Sequence, residues 1–298
     1  MEQLNELRDL IARHARGSGT VTPVPNLRLS TIDSLSAPAQ MVYEPMLCVV
    51  AQGAKRTILG DKVFNYDRGK FLVVSVDLPV SRRITQASPD SPYMAMVLRL
   101  DPVAIASLLL DMEGKPREGQ PVGLAVSQAT PDLLDPVLRL VRLLDRPADI
   151  PVLAPLVERE IRWRLLESEQ GAIVRQIGLA DSRVSQISRA VRWLLGHYAE
   201  PLRIDDLARM TGMSVSSFHR HFKAVTAMSP LQYQKQIRLQ AARELLIAQS
   251  GDVAGIGFSV GYDSPSQFSR EYGRLFGAPP GKDAMRLRAS SIPERSVA

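Results

Sequence analysis

The sequence predicts an α+β chain in two parts. An antiparallel β-barrel or sandwich with trailing helices comes first, and an all-helical part built on a repeated helix-turn-helix follows. Three observations predict it. Between Leu27 and Leu100, short runs rich in β-branched and apolar residues are separated by Gly, Asp and Pro signals. Beyond Asp181 the apolar residues recur at helical spacing, and a glycine turn followed by an aromatic–Arg–aromatic core occurs twice. The charge divides at the same place: Asp181–Ala298 carries 16 Lys+Arg against 10 Asp+Glu, whereas the preceding residues balance at 21 of each. A neutral part joined to a basic part implies that the basic part meets a polyanion.

At 298 residues, with 45% hydrophobic and 23% charged residues, the chain has the size and composition of two globular domains. No apolar run reaches membrane-spanning length, so no membrane partner is expected. Met1–Arg16 contains acidic residues and no signal-peptide apolar block, and reads as a short amphipathic helix. The single Cys48 excludes an internal disulfide and a thiol-based zinc site. A cytoplasmic location is the default expectation.

A loop with Gly17, Gly19, Pro23 and Pro25 follows the first helix. The strand runs are LRLSTIDSL, MLCVVAQG, KRTILG, KVFNYD, KFLVVSV and YMAMVLRL, with a hairpin around Gly60–Asp61. Many short strands at this spacing predict a small antiparallel barrel or sandwich. Asp101–Pro102 opens a helix over Pro102–Leu110, and a Gly- and Pro-rich loop occupies Gly114–Gly123. Helix Pro131–Leu144 aligns Leu134, Val137, Leu138, Val141 and Leu144 in one stripe. Pro151–Ser168 does the same with Leu153, Leu156, Val157, Ile161, Leu165 and Leu166. Such stripes either pack on the barrel or pair with a second copy, and a homodimer is the expectation carried forward. The domain boundary is expected near Gly171–Asp181, giving domains 1–175 and 181–298.

The basic part reads as helices over Ser182–Tyr198, Arg203–Thr211, Val215–Val225, Leu231–Ala248, Asp252–Val260 and Ser266–Phe276. Ser214 and Ser264 are placed as N-caps, and Pro265 stands at a first helical position. Gly277 ends the last helix, and Pro279–Pro280 are expected to prevent its resuming. Two copies of one pattern emerge. Each has a small Ala (Ala208, Ala254) for close helix packing and a Gly turn (Gly212, Gly261). Phe218-His219-Arg220-His221-Phe222 then matches Phe268-Ser269-Arg270-Glu271-Tyr272, 50 positions further on. In each copy the aromatics face inward and the Arg points out. The long helix between them acts as a rigid spacer of about 27 Å at 1.5 Å per residue. Helices so placed could enter adjacent major-groove segments, where Arg reads guanine and Gln reads adenine.

From Asp181 to Arg288 the chain resembles the DNA-binding domain of the AraC/XylS family of bacterial transcription regulators. GYDSPSQFSREY followed by RLFGAPP carries that resemblance. LCVVAQGAKR and FLVVSVDLPV resemble the sensor domain of one branch of the family. The resemblance implies a cupin-like barrel with dimerising helices, then a double helix-turn-helix. It further implies a regulator, mostly an activator, that binds promoter DNA, responds to a small molecule and works with RNA polymerase. The family's base-reading positions fall on Val215, Ser216, His219 and Arg220 in the first recognition helix. In the second they fall on Ser266, Gln267 and Arg270. Arg220 and Arg270 are the expected guanine readers, with phosphate positioning as the alternative. Two residues depart from the family pattern: Gly273 replaces a frequent Lys or Arg, and Glu271 places a negative charge facing or beside the DNA.

None of the four histidines (His14, His197, His219 and His221) falls within Leu27–Leu100, which excludes a histidine-ligated metal site in the barrel. A nucleophile–His arrangement and a phosphate-cradling glycine loop are absent there too, so neither a cofactor nor catalytic residues are expected. The barrel reads as a binding cup, with Tyr43, Glu44, Gln52 and Arg99 as polar candidates for the effector and Cys48 as a buried core thiol. The alternative is a small-molecule-binding cupin enzyme with a basic helical appendage.

Overall fold

The computed structural model describes residues 2–112, 123–179, 182–248 and 252–291. Helix α1 (Glu2–His14) precedes nine strands: β1 Thr20–Val21, β2 Leu27–Ile32, β3 Ala39–Tyr43, β4 Met46–Gln52, β5 Ala54–Leu59, β6 Lys62–Asp67, β7 Lys70–Val74, β8 Leu78–Gln86 and β9 Tyr93–Arg99. Helix α2 (Pro102–Leu110) and strand β10 (Leu124–Gln128) follow. Then come α3 Pro131–Arg142, α4 Ile150–Glu167, α5 Gly171–Gly178, α6 Arg183–Gly196, α7 Ile204–Met210 and α8 Val215–Thr226. The last helices are α9 Pro230–Ala248, α10 Val253–Ser259, α11 Pro265–Phe276 and α12 Pro280–Ser291.

The strands form two antiparallel sheets rather than one closed barrel. One has the order β1-β2-β9-β4-β7-β10 and the other β3-β8-β5-β6. The fold class stands as α+β with a cupin-like N-terminal unit, open between its sheets. Burial along the central strands explains their unbroken apolar runs. Leu47, Val49, Phe71, Val73, Met96 and Leu98 pack toward the helices α1–α5. Their neighbours Cys48, Val50, Leu72, Val74 and Ala95 pack toward the second sheet. A sheet covered on both faces needs apolar residues at both parities. The hairpin expected at Gly60–Asp61 forms, with Leu59 opposite Lys62. Strands β1, β3, β8 and β10 are additional to the six runs that the sequence predicts. The loop expected over 114–123 lies outside the described residues except for Gly123.

The stripe on α3 is corrected as a dimer surface. Leu134, Val137, Leu138 and Val141, with Leu144 just beyond the end of α3, are all buried within the chain's own core, the helix packing against α1 and α4. On α4 the stripe divides. Val157, Ile161, Leu165 and Leu166 are buried, whereas Leu153 and Leu156 face solvent together with Val152 and Trp163. The segment expected as the domain boundary holds α5, which packs against α2 and α4.

The basic part divides between two cores. Val184, Ile187, Val191 and Leu194 of α6 join Phe218, Phe222 and Tyr233 in the same buried cluster as the inter-sheet residues. The second helix-turn-helix has its own core of Leu239, Leu246, Ile256, Val260, Phe268 and Tyr272. The repeat runs one helix further than expected. Ala227 and Gly277, 50 positions apart, both end a recognition helix in the left-handed conformation. Pro230 and Pro280 both open the next helix. Pro279–Pro280 therefore do not stop the chain's helical course. A proline at the first helical position lacks only an N–H that would have had no partner there.

Candidate nucleic-acid interface and effector cavity

Each recognition helix is set by the same local chemistry. Ser214 and Ser264 accept hydrogen bonds from the Ser217 and Gln267 amides, capping α8 and α11. Phe218 and Phe222 on α8, and Phe268 and Tyr272 on α11, are fully buried at i and i+4. This rotates the intervening residues outward. Val215, Ser216, His219 and Arg220 are exposed on α8; Ser266 and Arg270 are exposed on α11, with Gln267 half-buried beside them. Among the described residues neither Arg220 nor Arg270 has a hydrogen-bond or carboxylate partner, so both guanidinium forks stay available.

The second unit is held to the first by α9. Arg238 donates to the carbonyls of Tyr198 and Gly261 at 2.6 Å each and to Glu200 at 2.9 Å. Gly261 is required at that turn: its φ is +92°, and a Cβ there would fall 2.3 Å from the Ala199 carbonyl oxygen. Glu271 does not add a free charge beside the DNA. Its carboxylate accepts from Lys235 Nζ at 2.7 Å, Tyr262 OH at 2.8 Å and Gln267 Nε2 at 3.1 Å. Burial raises its pKa, but the bonds from Lys235, Gln267 and Tyr262 outweigh burial and hold it below the usual range. The Gln267 amide thus has a fixed orientation on the α11 surface.

Gly273 occupies a helix interior where an added Cβ would lie 3.9 Å from its nearest neighbour, the Ala278 carbonyl oxygen. Gly273→Ala is therefore expected to stabilise the second unit by about 0.5–1 kcal/mol. Urea denaturation followed by α-helical circular dichroism checks this.

A cavity of about 630 Å³ opens between the two sheets. Tyr43 is buried in its wall, with the hydroxyl 3.5 Å from Thr57 Oγ1. Glu44 and Arg99 pair at 3.5 Å and are more than half exposed at its rim. Gln52 is not brought to the cavity; its amide donates to the Pro92 carbonyl at 2.9 Å. Cys48 lines the wall, and burial pushes its thiol pKa up, which keeps it unreactive. Sequence reasoning missed Lys55 and Arg82 in the lining, and the buried Tyr93, whose ring centroid lies 6.0 Å from the Lys55 Nζ. The burial of Lys55, Thr57 and Leu59 alternates with outward Arg56 and Ile58 on β5. Counting back from the Gly60–Asp61 turn, that period of two was the available signal. Among the described residues, no group of three or more His, Cys, Asp or Glu could hold a metal. No helix there is long and apolar enough to cross a membrane.

The cavity reaches the helical part directly. Leu195 of α6 lines it. Asp77, also in its wall, accepts the Tyr233 hydroxyl of α9 at its backbone carbonyl, 3.0 Å away. The Gly60 turn lies against the Ala227 backbone at the end of α8.

Paired outward-facing helices beneath a ligand-sized cavity define a helix-turn-helix regulator class, and comparisons with known proteins agree. Residues 23–173 match the model for the AraC-type transcriptional regulator N-terminus, and residues 207–286 match a helix-turn-helix domain. The chain belongs to the AraC-type transcriptional regulators. It is 28% identical to the HTH-type transcriptional regulator ExsA of Pseudomonas aeruginosa over 66% of this chain and 71% of that protein. ArgR of the same organism is 28% identical over 51% of this chain and 46% of ArgR. The transcriptional activator RhaS of Escherichia fergusonii is 28% identical over 51% of this chain and 56% of RhaS. The chain thus spans about half the length of ArgR and of RhaS. In fold it is similar to ToxT of Vibrio cholerae, solved with an unsaturated fatty acid bound. The TM-score is 0.56 at 10% identity, covering 87% of this chain and 94% of ToxT.

Proposed function

We propose that this protein is a sequence-specific, ligand-responsive transcription regulator, acting as an activator with RNA polymerase as its partner in the cytoplasm. Residues 1–175 form the sensing and dimerising half, and 181–298 the half that binds promoter DNA. The observation that carries this reading is the repeated exposure of an unpartnered arginine, Arg220 and Arg270, between two buried aromatics on capped helices. Val215, Ser216, His219, Ser266 and Gln267 complete the two reading surfaces. Helix α9, about 28 Å long at 1.5 Å per residue, braces both units and sets their separation. Ligand occupancy acts on α6 and α9 through Leu195 and the Asp77–Tyr233 hydrogen bond.

The homodimer is assigned to the outer face of α4. Val152, Leu156 and Trp163 recur there at i, i+4 and i+11 and remain exposed, Leu156 at 61%. That spacing suits a seam between paired helices.

The test is DNA affinity of the full chain against salt. The first helix-turn-helix shares its core with the sheets, so the intact protein is the proper material. Several phosphate contacts make log K fall with log[salt] at about −0.9 per contact, a slope of several units in all. A slope near zero would remove the DNA-binding reading.

A further inference from the structure

We propose that the inter-sheet cavity binds an amphipathic monocarboxylate, with its anionic head at Lys55 and its apolar body between the sheets. The proposal rests on the reading of this half as a sensor and names the chemical class it senses. Lys55 is 8% exposed. A lysine is almost never this buried without an anionic partner, because an uncompensated charge is costly to remove from water. Among the described residues no carboxylate lies within ion-pair distance of its Nζ, and no hydrogen-bond acceptor serves it. What faces it among the described residues is aromatic: the Nζ lies 5.3 Å from the Tyr43 ring centroid and 6.0 Å from that of Tyr93.

A second observation points the same way. The Tyr93 hydroxyl, on the ring whose centroid lies 6.0 Å from this ammonium, is buried with no oxygen or nitrogen partner among the described residues, next to the weakly bonding Cys48 thiol. Buried hydroxyls are ordinarily satisfied. A carboxylate seated at Lys55 has two oxygens, enough to accept from both the ammonium and this hydroxyl.

The remaining lining sets the class. Four cations (Arg28, Lys55, Arg82 and Arg99) face the cavity against two carboxylates, Glu44 and Asp77. Glu44 is already engaged by Arg99 at the rim. Arg82 has no carboxylate partner among the described residues, and its Nε rests on the Met41 sulfur. The lining also carries apolar side chains, among them Met41, Val42, Met46 and Val97. The apolar part of this lining suits an anion with a hydrocarbon body better than inorganic phosphate, which has no apolar surface to bury. The cavity volume falls in the range of small-ligand pockets.

The test uses the full chain, calorimetric titration and thermal shift. The probes are octanoate, dodecanoate and 4-phenylbutyrate, each against its matching alcohol, with inorganic phosphate as a further arm. At least one carboxylate is expected to bind ten-fold or more tightly than its alcohol, and phosphate is expected not to bind. Lys55→Met keeps the apolar stem and should bring the carboxylate down to within about three-fold of the alcohol. Lys55→Arg should keep most of the preference. Without ligand, Lys55→Met should melt at or above the wild-type temperature and bind DNA as the wild type does. The proposal is overturned by any of four results: no carboxylate preferred over its alcohol, phosphate binding equally well, a preference surviving Lys55→Met, or ligand-free Lys55→Met failing to fold. DNA affinity of the wild type, measured alongside, keeps this outcome separate. Carboxylate binding without DNA binding sinks the regulator reading alone, and the reverse sinks only the ligand assignment.

Discussion

Asp283→Ala is expected to unfold the second helix-turn-helix locally, at a cost of about 3–5 kcal/mol. Asp283 lies on α12 with a fully buried side chain. Its carboxylate accepts from Arg243 Nε at 2.9 Å, from Tyr272 OH at 3.0 Å and from Arg286 at 2.6 Å. Arg243 is itself only 18% exposed and stacks its guanidinium on the Phe276 ring, 4.5 Å from the centroid. Removing the carboxylate leaves that cation and the Tyr272 hydroxyl without their acceptor inside the core that orients α11. Truncating one member of a buried ion pair costs more than the pair contributed, because the survivor stays desolvated. The exposed Arg286 adds little. Hydrogen exchange should therefore speed up across α10–α12 while the sheets keep their protection. Uniform protection in the variant would show that α12 does not carry the recognition helix.

The second large effect separates core from interface on neighbouring helices. Leu138→Asp should unfold the N-terminal half, because Leu138 of α3 is 2% exposed and sits in an apolar cluster, where a carboxylate would be desolvated. The lost burial alone is worth about 2–5 kcal/mol, and the unpaired charge adds to it. Leu156→Asp on the outer face of α4 should instead leave the fold intact and yield monomers. Sedimentation with circular dichroism distinguishes these results. A folded Leu138→Asp variant, or a Leu156→Asp variant that stays dimeric, contradicts this assignment of the two stripes.

Local signals are legible in the sequence. Capping serines, the prolines at first helical positions, turn glycines and the aromatic–Arg–aromatic spacing each depend on a few adjacent residues, so both recognition helices and α2 follow from sequence alone. What the sequence hides is non-local. The α3 stripe declares burial, but periodicity does not say against what, and the partners are the chain's own helices α1 and α4. Strand β8 carries Pro79 beside Arg82 and Arg83, which masks its alternation. Pro280 has the character of a stop, although proline is equally at home as the first residue of a helix. Lys55 is inconspicuous because a lysine on a strand normally faces water; only the pairing of β5 with β6 and β8 turns it inward. Gln52 has the polarity of a pocket residue, but the irregular register after Val50 places its amide on Pro92.

Binding-site selection from random duplexes, run with the wild type, Arg220→Ala and Arg270→Ala, tests the two-helix readout most directly. Each arginine carries a planar fork that matches guanine O6 and N7. If each reads a base, each variant should lose about 1–3 kcal/mol on the wild-type site and little on unrelated DNA. Base preference should relax at one or two positions, different for the two variants and about one helical turn apart. The contradicting result is unchanged base preference with uniform weakening on every sequence, which would make both arginines phosphate clamps.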